Sequence, residues 1–164
     1  MSDFAIHSLA VGGGLLALGP MPGRGGAYSA DFAVLRDWGP ALVVTMTTAE
    51  ELAVPEMAAD LAAAGIDWAH LPITDFGTPA PETEAKWPAL AAHVHGHLAR
   101  GARVFIHCMG CCGRSGMAVL RLMIEAGEGG GAALARLRAV RPCAVETEAQ
   151  RLWAISGRPS SSRV

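Results

Sequence analysis

One segment of the chain, residues 104–116, constrains the fold and the chemistry more than any other. It begins with the apolar stretch Val104–Ile106, continues through His107 and Cys108, and crosses a short glycine-containing loop to reach Arg114. The apolar stretch predicts a buried strand, and the residues from Arg114 onward predict a helix. A loop between a strand and a helix N-terminus gathers backbone N–H groups around one small volume that favours negative charge. The sequence therefore predicts an anion-binding loop that holds a cysteine.

The side chains around this loop have complementary chemistry. Arg114 follows Cys108 by six positions, so the intervening loop can curl until both side chains address one bound anion. A guanidinium donates to two phosphate oxygens at once, and the field at a helix N-terminus favours the thiolate of a cysteine. Ser115 can donate its hydroxyl to that sulfur. The residues expected to surround the anion with their backbone are Met109, Gly110, Cys111, Cys112 and Gly113.

The pattern His-Cys-x5-Arg-Ser, from His107 to Ser115, resembles the signature of cysteine-dependent protein tyrosine phosphatases. The resemblance implies hydrolysis of phosphomonoesters through a phosphocysteine on Cys108, with no metal or other cofactor. It implies a phosphorylated protein or peptide as substrate, with phosphotyrosine, phosphoserine and phosphothreonine as the alternatives. Free phosphate or sulfate would occupy the same loop. His107 is expected to bond the backbone beside the nucleophile rather than to act as a base.

A second segment, residues 71–79, leaves an apolar strand and enters a loop that contains Gly77 and two prolines. Loops of this kind can close over a site. Phosphoryl transfer needs a proton on the leaving oxygen, and Asp75 is the candidate for the acid that supplies it. Taken alone, an aspartate in such a loop would more often bond its own backbone.

A third segment, residues 140–150, resembles the water-positioning loop of the branch typified by kinase-associated phosphatase. The resemblance implies that Gln150 orients the hydrolytic water and that Thr147 lines the same wall. The alternative is a polar helix start with Gln150 on a solvated face.

The cysteines raise two further hypotheses. Cys111 stands where the family usually has glycine, and a side chain there costs about 1 to 2 kcal/mol if the backbone needs a positive φ. The chain could then be a phosphate-binding module with weak catalysis.

Cys108 and Cys111 also form a Cys-x-x-Cys pair, which is compatible with a redox protein. In a phosphatase, Cys111 or Cys112 could instead trap oxidised Cys108 as a disulfide. The clustering of the four cysteines, including Cys143, does not resemble a disulfide framework and suits a reducing compartment.

The whole chain predicts an α/β fold with a mostly parallel central sheet of four to five strands and helices on both faces. Glycines at positions 65, 101 and 127 are expected to end helices. The predicted strands are at about 15–18, 41–46, 66–71 and 103–107, and the predicted helices are at about 29–37, 50–64, 84–99, 114–126, 130–140 and 147–156.

Length and charge indicate one phosphatase domain over residues 1–164, with its core at about 15–156 and a flexible tail at 157–164. The net charge is −2, and basic and aromatic residues do not interleave, so neither nucleic acid nor a membrane is an expected partner. Residues 100–164 hold 10 basic and 4 acidic residues. This excess predicts a cationic rim around the loop if it clusters in space. The cytoplasm is the expected location.

Three histidines on one predicted helix, His93, His95 and His97, suggest a metal site at first sight. His93 and His97 share a helical face, but the neighbouring sequence has no acidic residue arranged as in zinc proteases. The sequence therefore predicts a solvated face and no metal.

Overall fold

A computed structural model describes residues 4–52, 54–110 and 112–157. Five strands form one sheet in the order β1-β2-β5-β3-β4. Strands β2, β5, β3 and β4 run parallel to one another, and β1 pairs with β2 in the antiparallel direction. The strands are β1 His7–Val11, β2 Gly14–Gly19, β3 Leu42–Thr45, β4 Asp67–His70 and β5 Arg103–His107. The predicted mostly parallel α/β sheet is confirmed.

Six helices cover the two faces of the sheet. One face packs against α1 and α2, and the other packs against α3 to α6. A 3-10 turn at Ala49–Glu51 follows β3. The helices are α1 Tyr28–Trp38, α2 Met57–Ala63, α3 Pro81–Ala99, α4 Gly113–Glu125, α5 Gly130–Val140 and α6 Glu148–Ile155. Among the described residues, none of the helices has the length and apolar character needed to cross a bilayer.

Strand β5 lies in the middle of the sheet and is buried on both sides. Val104 and Ile106 contact the core under α3 to α6, and Phe105 between them contacts the core under α1 and α2. Alternate side chains of a strand point to opposite faces, so a strand with two covered faces must be apolar throughout. The unbroken apolar run before Cys108 is therefore what places this strand at the centre.

The predicted helix stops are confirmed. Gly65, Gly101 and Gly127 follow the ends of three helices with φ values of 75°, 78° and 110°. Side chains rarely tolerate this left-handed conformation, so glycine is the residue that ends a helix there.

Two elements differ from the prediction. Strand β1 lies outside the four predicted strands, and Gly12 and Gly13 connect it to β2. Both adopt positive φ and form a two-residue turn that joins β1 to β2 as a hairpin. The helix predicted over 50–64 is also broken, since Pro55 offers no N–H and disfavours a helical conformation in the preceding residue. The helix proper therefore begins only at Met57.

The parallel strands place their following loops at one edge of the sheet. The loop after β4 contains Asp75, and the loop after β5 contains Cys108. Ligands of open α/β sheets bind beyond the carboxyl ends of the strands. This edge is therefore the place where the predicted site residues can meet.

Candidate active site

Cys108 lies directly after β5 and is 3% exposed. Its Sγ atom is 3.2 Å from the Oγ atom of Ser115 in the first turn of α4. Two backbone hydrogen bonds hold the surrounding loop, from Met46 N–H to the His107 carbonyl (2.9 Å) and from Met21 N–H to the Met109 carbonyl (3.1 Å). The sulfur is thus fixed at the N-terminus of α4, with a hydroxyl donor beside it.

His107 is fully buried and supports the nucleophile from behind. Its Nε2 atom is 2.7 Å from Thr45 Oγ1, which also accepts a hydrogen bond from Trp68 Nε1–H at 2.7 Å. Its Nδ1 atom is 3.3 Å from the Cys108 carbonyl. Desolvation, together with the nearby cationic groups, lowers the pKa of His107 to about 4. The ring is therefore neutral, and the network assigns its proton to Nδ1, which donates to the Cys108 carbonyl.

Arg114 is 1% exposed and its guanidinium is held on one side only. Nη1 donates to Glu51 Oε1 at 2.7 Å and to the Ile73 carbonyl at 2.8 Å, and Nη2 donates to Glu51 Oε2 at 3.0 Å. Nε is buried and has no hydrogen-bond partner. The edge formed by Nε and Nη2 can donate to two oxygens of an anion that takes the place beside Nη2 now faced by Asp75.

Glu51 is a site residue that the sequence reasoning missed. Its carboxylate accepts from both terminal nitrogens of Arg114 and from the Thr48 backbone N–H at 3.0 Å. The hydrogen bond to Arg114 is the main reason that its pKa falls to about 2, against the opposing effect of burial. The sequence pattern that could have identified Glu51 is Thr48-x-x-Glu51, a capping box that follows a buried strand.

Asp75 faces the same guanidinium from the acid loop, which we define as residues 71–79. Its Oδ1 atom lies 3.4 Å from Nη2 of Arg114 and accepts a hydrogen bond from Phe76 N–H at 3.0 Å. The carboxylate is half exposed, and the Phe76 ring beside it is 60% exposed. The carboxylate of Asp75 and the ring of Phe76 therefore lie next to each other, on the solvent side of Arg114.

Gln150 and Thr147 lie at the start of α6, and Gln150 is fully buried. Its Oε1 accepts from the N–H groups of Glu146 (3.0 Å) and Thr147 (3.2 Å), and its Nε2 donates to the carbonyl of Gly77 at 3.2 Å. Thr147 Oγ1 accepts from the Gln150 backbone N–H at 3.1 Å. The alternative of a solvated Gln150 is therefore wrong, because the side chain connects α6 to the acid loop.

The side chain of Gln150 also lies against the loop that holds the nucleophile. A Cβ atom added to Gly113 would lie 2.9 Å from its Oε1 and 3.0 Å from its Nε2. Glycine at position 113 therefore lets the amide approach the loop backbone closely.

A cavity of about 150 Å³ lies beside these groups, and Gln150 and Thr147 are not among the described residues that line it. Cys108 lies at its base, and Arg114 is the one cation among the described residues that line it. Cys111, predicted to bind the anion and to affect the loop geometry, lies outside the described residues. The lining residues are Asp75, Phe76, Cys108, Met109, Gly110, Cys112, Arg114 and Glu146.

Cys112 forms a disulfide with Cys143, which the sequence reasoning did not expect. While that bond exists, Cys112 cannot act as the trap for oxidised Cys108. The bond joins the nucleophile loop to the segment before α6. Two hydrogen bonds run in parallel with it, from Val145 N–H to the Cys112 carbonyl (3.0 Å) and from Arg141 Nη2 to the Gly110 carbonyl (3.1 Å). The back of the loop is thus fixed by one covalent and two polar contacts.

Replacing Cys143 with serine should lower the free energy of unfolding by about 2 to 4 kcal/mol, because the bond closes a loop of 31 positions in the unfolded chain. Denaturant unfolding with and without dithiothreitol measures this change. Wild type should be destabilised by the reductant, whereas Cys143→Ser should be insensitive to it. Equal unfolding midpoints for oxidised wild type and Cys143→Ser would contradict the prediction.

The predicted cationic rim is largely wrong. Arg121 stacks over Trp153 at 4.4 Å, Arg136 bonds Glu128, and Arg138 donates to the carbonyls of Ala144 and Val145. These arginines are used in holding helices and loops together. A fourth arginine of this C-terminal half, Arg141, does contact the nucleophile loop through the Gly110 carbonyl.

Comparisons with known proteins agree with this geometry. A family model described as a polymorphic toxin system DSP-PTPase phosphatase matches residues 19–128. The active form of Tk-PTP is 27% identical, with a TM-score of 0.72 over 91% of this chain and 95% of that one. No curated protein matches the chain.

Two further solved structures share the fold at lower identity. Kinase-associated phosphatase with its catalytic cysteine replaced by serine is 22% identical, with a TM-score of 0.80 over 94% of this chain and 93% of that one. PTPMT1 in complex with PI(5)P is 18% identical, with a TM-score of 0.72 over 86% of this chain and 88% of that one. Since the family model spans well over half of the sequence, this chain belongs to the DSP-PTPase phosphatases of polymorphic toxin systems and is a cysteine-dependent phosphatase.

Proposed function

We propose that the chain dephosphorylates proteins in two steps, with Cys108 as the nucleophile. One observation carries this proposal. The Nε atom of Arg114 is buried and has no hydrogen-bond partner, whereas Nη1 and Nη2 of the same guanidinium both donate to Glu51. A buried donor without a partner costs free energy unless a ligand satisfies it. A phosphoryl group bound to the loop supplies the missing acceptors.

In the first step, Cys108 Sγ attacks phosphorus and the bond from phosphorus to the leaving oxygen breaks. Arg114 and the loop N–H groups bind the equatorial oxygens. The phosphoryl group also takes the place beside Nη2 that Asp75 now faces. The protonated carboxyl of Asp75 delivers its proton to the leaving oxygen.

In the second step, water attacks the phosphocysteine and the bond between phosphorus and sulfur breaks. Asp75, now ionised, accepts the proton of the water. We assign the orientation of that water to the Gln150 amide, and the contacts of its side chain with the acid loop and with Gly113 support this role. Ser115 donates its hydroxyl to the departing thiolate across the observed 3.2 Å separation.

The substrate class follows from the cavity. The described residues of the lining offer one cation and two carboxylates, Asp75 and Glu146, which disfavours a lipid headgroup that carries several phosphates. The exposed ring of Phe76 gives a flat apolar surface next to the acid, which suits the ring of phosphotyrosine. We therefore place phosphotyrosine in a protein first, with phosphoserine and phosphothreonine as further substrates.

Trapping the covalent intermediate tests this mechanism directly. Rapid acid quenching of the enzyme with a ³²P-labelled phosphotyrosine peptide should leave label on Cys108. A parallel assay with PI(5)P should show slower turnover than the peptide. Phosphate binding with no turnover of any phosphoester would instead identify a binding module.

Replacing Asp75 with asparagine should lower kcat for a phosphotyrosine peptide by about 10² to 10⁴, because the leaving phenoxide then departs unprotonated. The loss should be smaller for para-nitrophenyl phosphate, whose leaving group needs less protonation. Steady-state kinetics on both substrates measures the difference. An equal loss on both substrates would exclude Asp75 as the general acid.

A further inference from the structure

We propose that the chain has a second site, remote from Cys108, that binds a divalent transition metal ion through Asp67, His93 and His97. The first of these residues begins β4, and the other two lie on one face of α3. The three potential ligand atoms lie within 4.8 Å of one another. None of them belongs to the cavity around Cys108.

The distances suit a metal ion better than direct hydrogen bonding. The Nε2 atoms of His93 and His97 each lie 3.8 Å from Asp67 Oδ2, which is too long for a hydrogen bond. Ligand atoms around tetrahedral Zn²⁺ are separated by about 3.3 Å, given metal–ligand bonds of about 2.0 to 2.2 Å. The two distances from Asp67 exceed this separation by about 0.5 Å, and the three ligand atoms lie within 4.8 Å of one another, so side-chain rotations of up to about 1.5 Å would close the site.

His97 presents a buried ring nitrogen to the cluster that no protein group bonds. The residue is 9% exposed, and its Nε2 is buried without a hydrogen-bond partner while it faces Asp67. Buried imidazole nitrogens are normally bonded, so an orphaned one that faces a second imidazole and a carboxylate has the environment of a metal ligand.

Binding requires one local rearrangement. Arg100 Nη2 lies 3.3 Å from His97 Nδ1, so the ring now carries its proton on Nε2. Coordination through Nε2 moves that proton to Nδ1 and displaces the guanidinium. Arg100 is exposed, so its side chain can turn into solvent without disturbing the core.

Two imidazoles and one carboxylate favour Zn²⁺ over Mg²⁺ or Ca²⁺, which prefer oxygen ligands. Three protein ligands leave a fourth position for water. The ion would join the edge strand β4 to α3 at the end of the sheet opposite to the nucleophile. The site is independent of the proposed function and would exist in an inactive variant.

Isothermal titration of Zn²⁺ into tag-free Cys108→Ser protein, without reductant, tests the proposal. This background removes the Cys108 thiol and keeps Cys112 paired with Cys143, and Cys111→Ser is added to it so that no free thiol competes for the metal. We expect one Zn²⁺ per chain and a rise in the melting temperature upon binding. His93→Gln, which changes a half-exposed side chain and leaves the fold intact, should weaken binding at least about tenfold.

The matched control is His95→Gln. His95 lies on the same helix but turns its Nε2 to Glu125 at 3.0 Å, a contact that glutamine can keep. Its affinity for Zn²⁺ should equal that of the background. Absence of stoichiometric binding, or equal affinities of the background and His93→Gln, would overturn the proposal, as would the loss of binding in His95→Gln.

Discussion

Replacing Cys108 with serine should lower kcat by on the order of 10⁴-fold or more while binding of inorganic phosphate persists. The serine hydroxyl is not ionised at neutral pH and cannot replace the thiolate as a nucleophile. Arg114 and the loop backbone remain in place, so the anion keeps its donors. Turnover of para-nitrophenyl phosphate and the Kd for phosphate measure the two effects separately.

The control for this variant is its stability. Thermal unfolding of Cys108→Ser should match that of wild type, since the change in side-chain volume is small and Ser115 lies close enough to bond the new hydroxyl. Activity that survives in the well-folded variant would show that another group attacks phosphorus.

Replacing Arg114 with lysine should lower kcat/KM by about 10³-fold or more, although the positive charge is retained. An ammonium group cannot bond both oxygens of Glu51 and still offer two coplanar donors to phosphate. The loss should therefore appear in phosphate affinity as well as in turnover. Steady-state kinetics and phosphate titration of the same variant measure both.

Arg136→Lys is the matched control, because Arg136 is exposed, bonds Glu128 and lies outside the cavity. Its kcat/KM should stay within twofold of wild type. A kcat/KM of Arg114→Lys within tenfold of wild type would mean that charge alone, rather than two-point donation, accounts for the role of Arg114.

The parts of the site that sequence predicted are those encoded by neighbouring residues. The strand, loop and helix start that position Cys108 and Arg114 occupy one continuous segment, so their pattern could be read directly. Asp75 was found because the chemistry of phosphoryl transfer demands an acid and the second loop offers one. Parallel strands then place both loops at one edge of the sheet.

The parts that were missed depend on contacts between distant segments. Glu51 reaches Arg114 across 63 positions, and Cys112 pairs with Cys143 across 31. Spacing alone does not specify either contact, since both are decided by how helices and loops pack. The same holds for Asp67, which lies 3.8 Å from His93 and His97 although it belongs to another element.

The hydrogen bond between Gln150 and the carbonyl of Gly77 has a consequence for the timing of catalysis. An outward swing of the acid loop breaks this bond and, in the proposed mechanism, removes both the proton acceptor Asp75 and one anchor of the Gln150 amide. If that mechanism holds, hydrolysis of the phosphoenzyme requires the loop to stay closed after the dephosphorylated product has left. A phosphoenzyme whose acid loop opens early would be long-lived. The rate at which the loop closes again would then govern how quickly the free enzyme is regenerated.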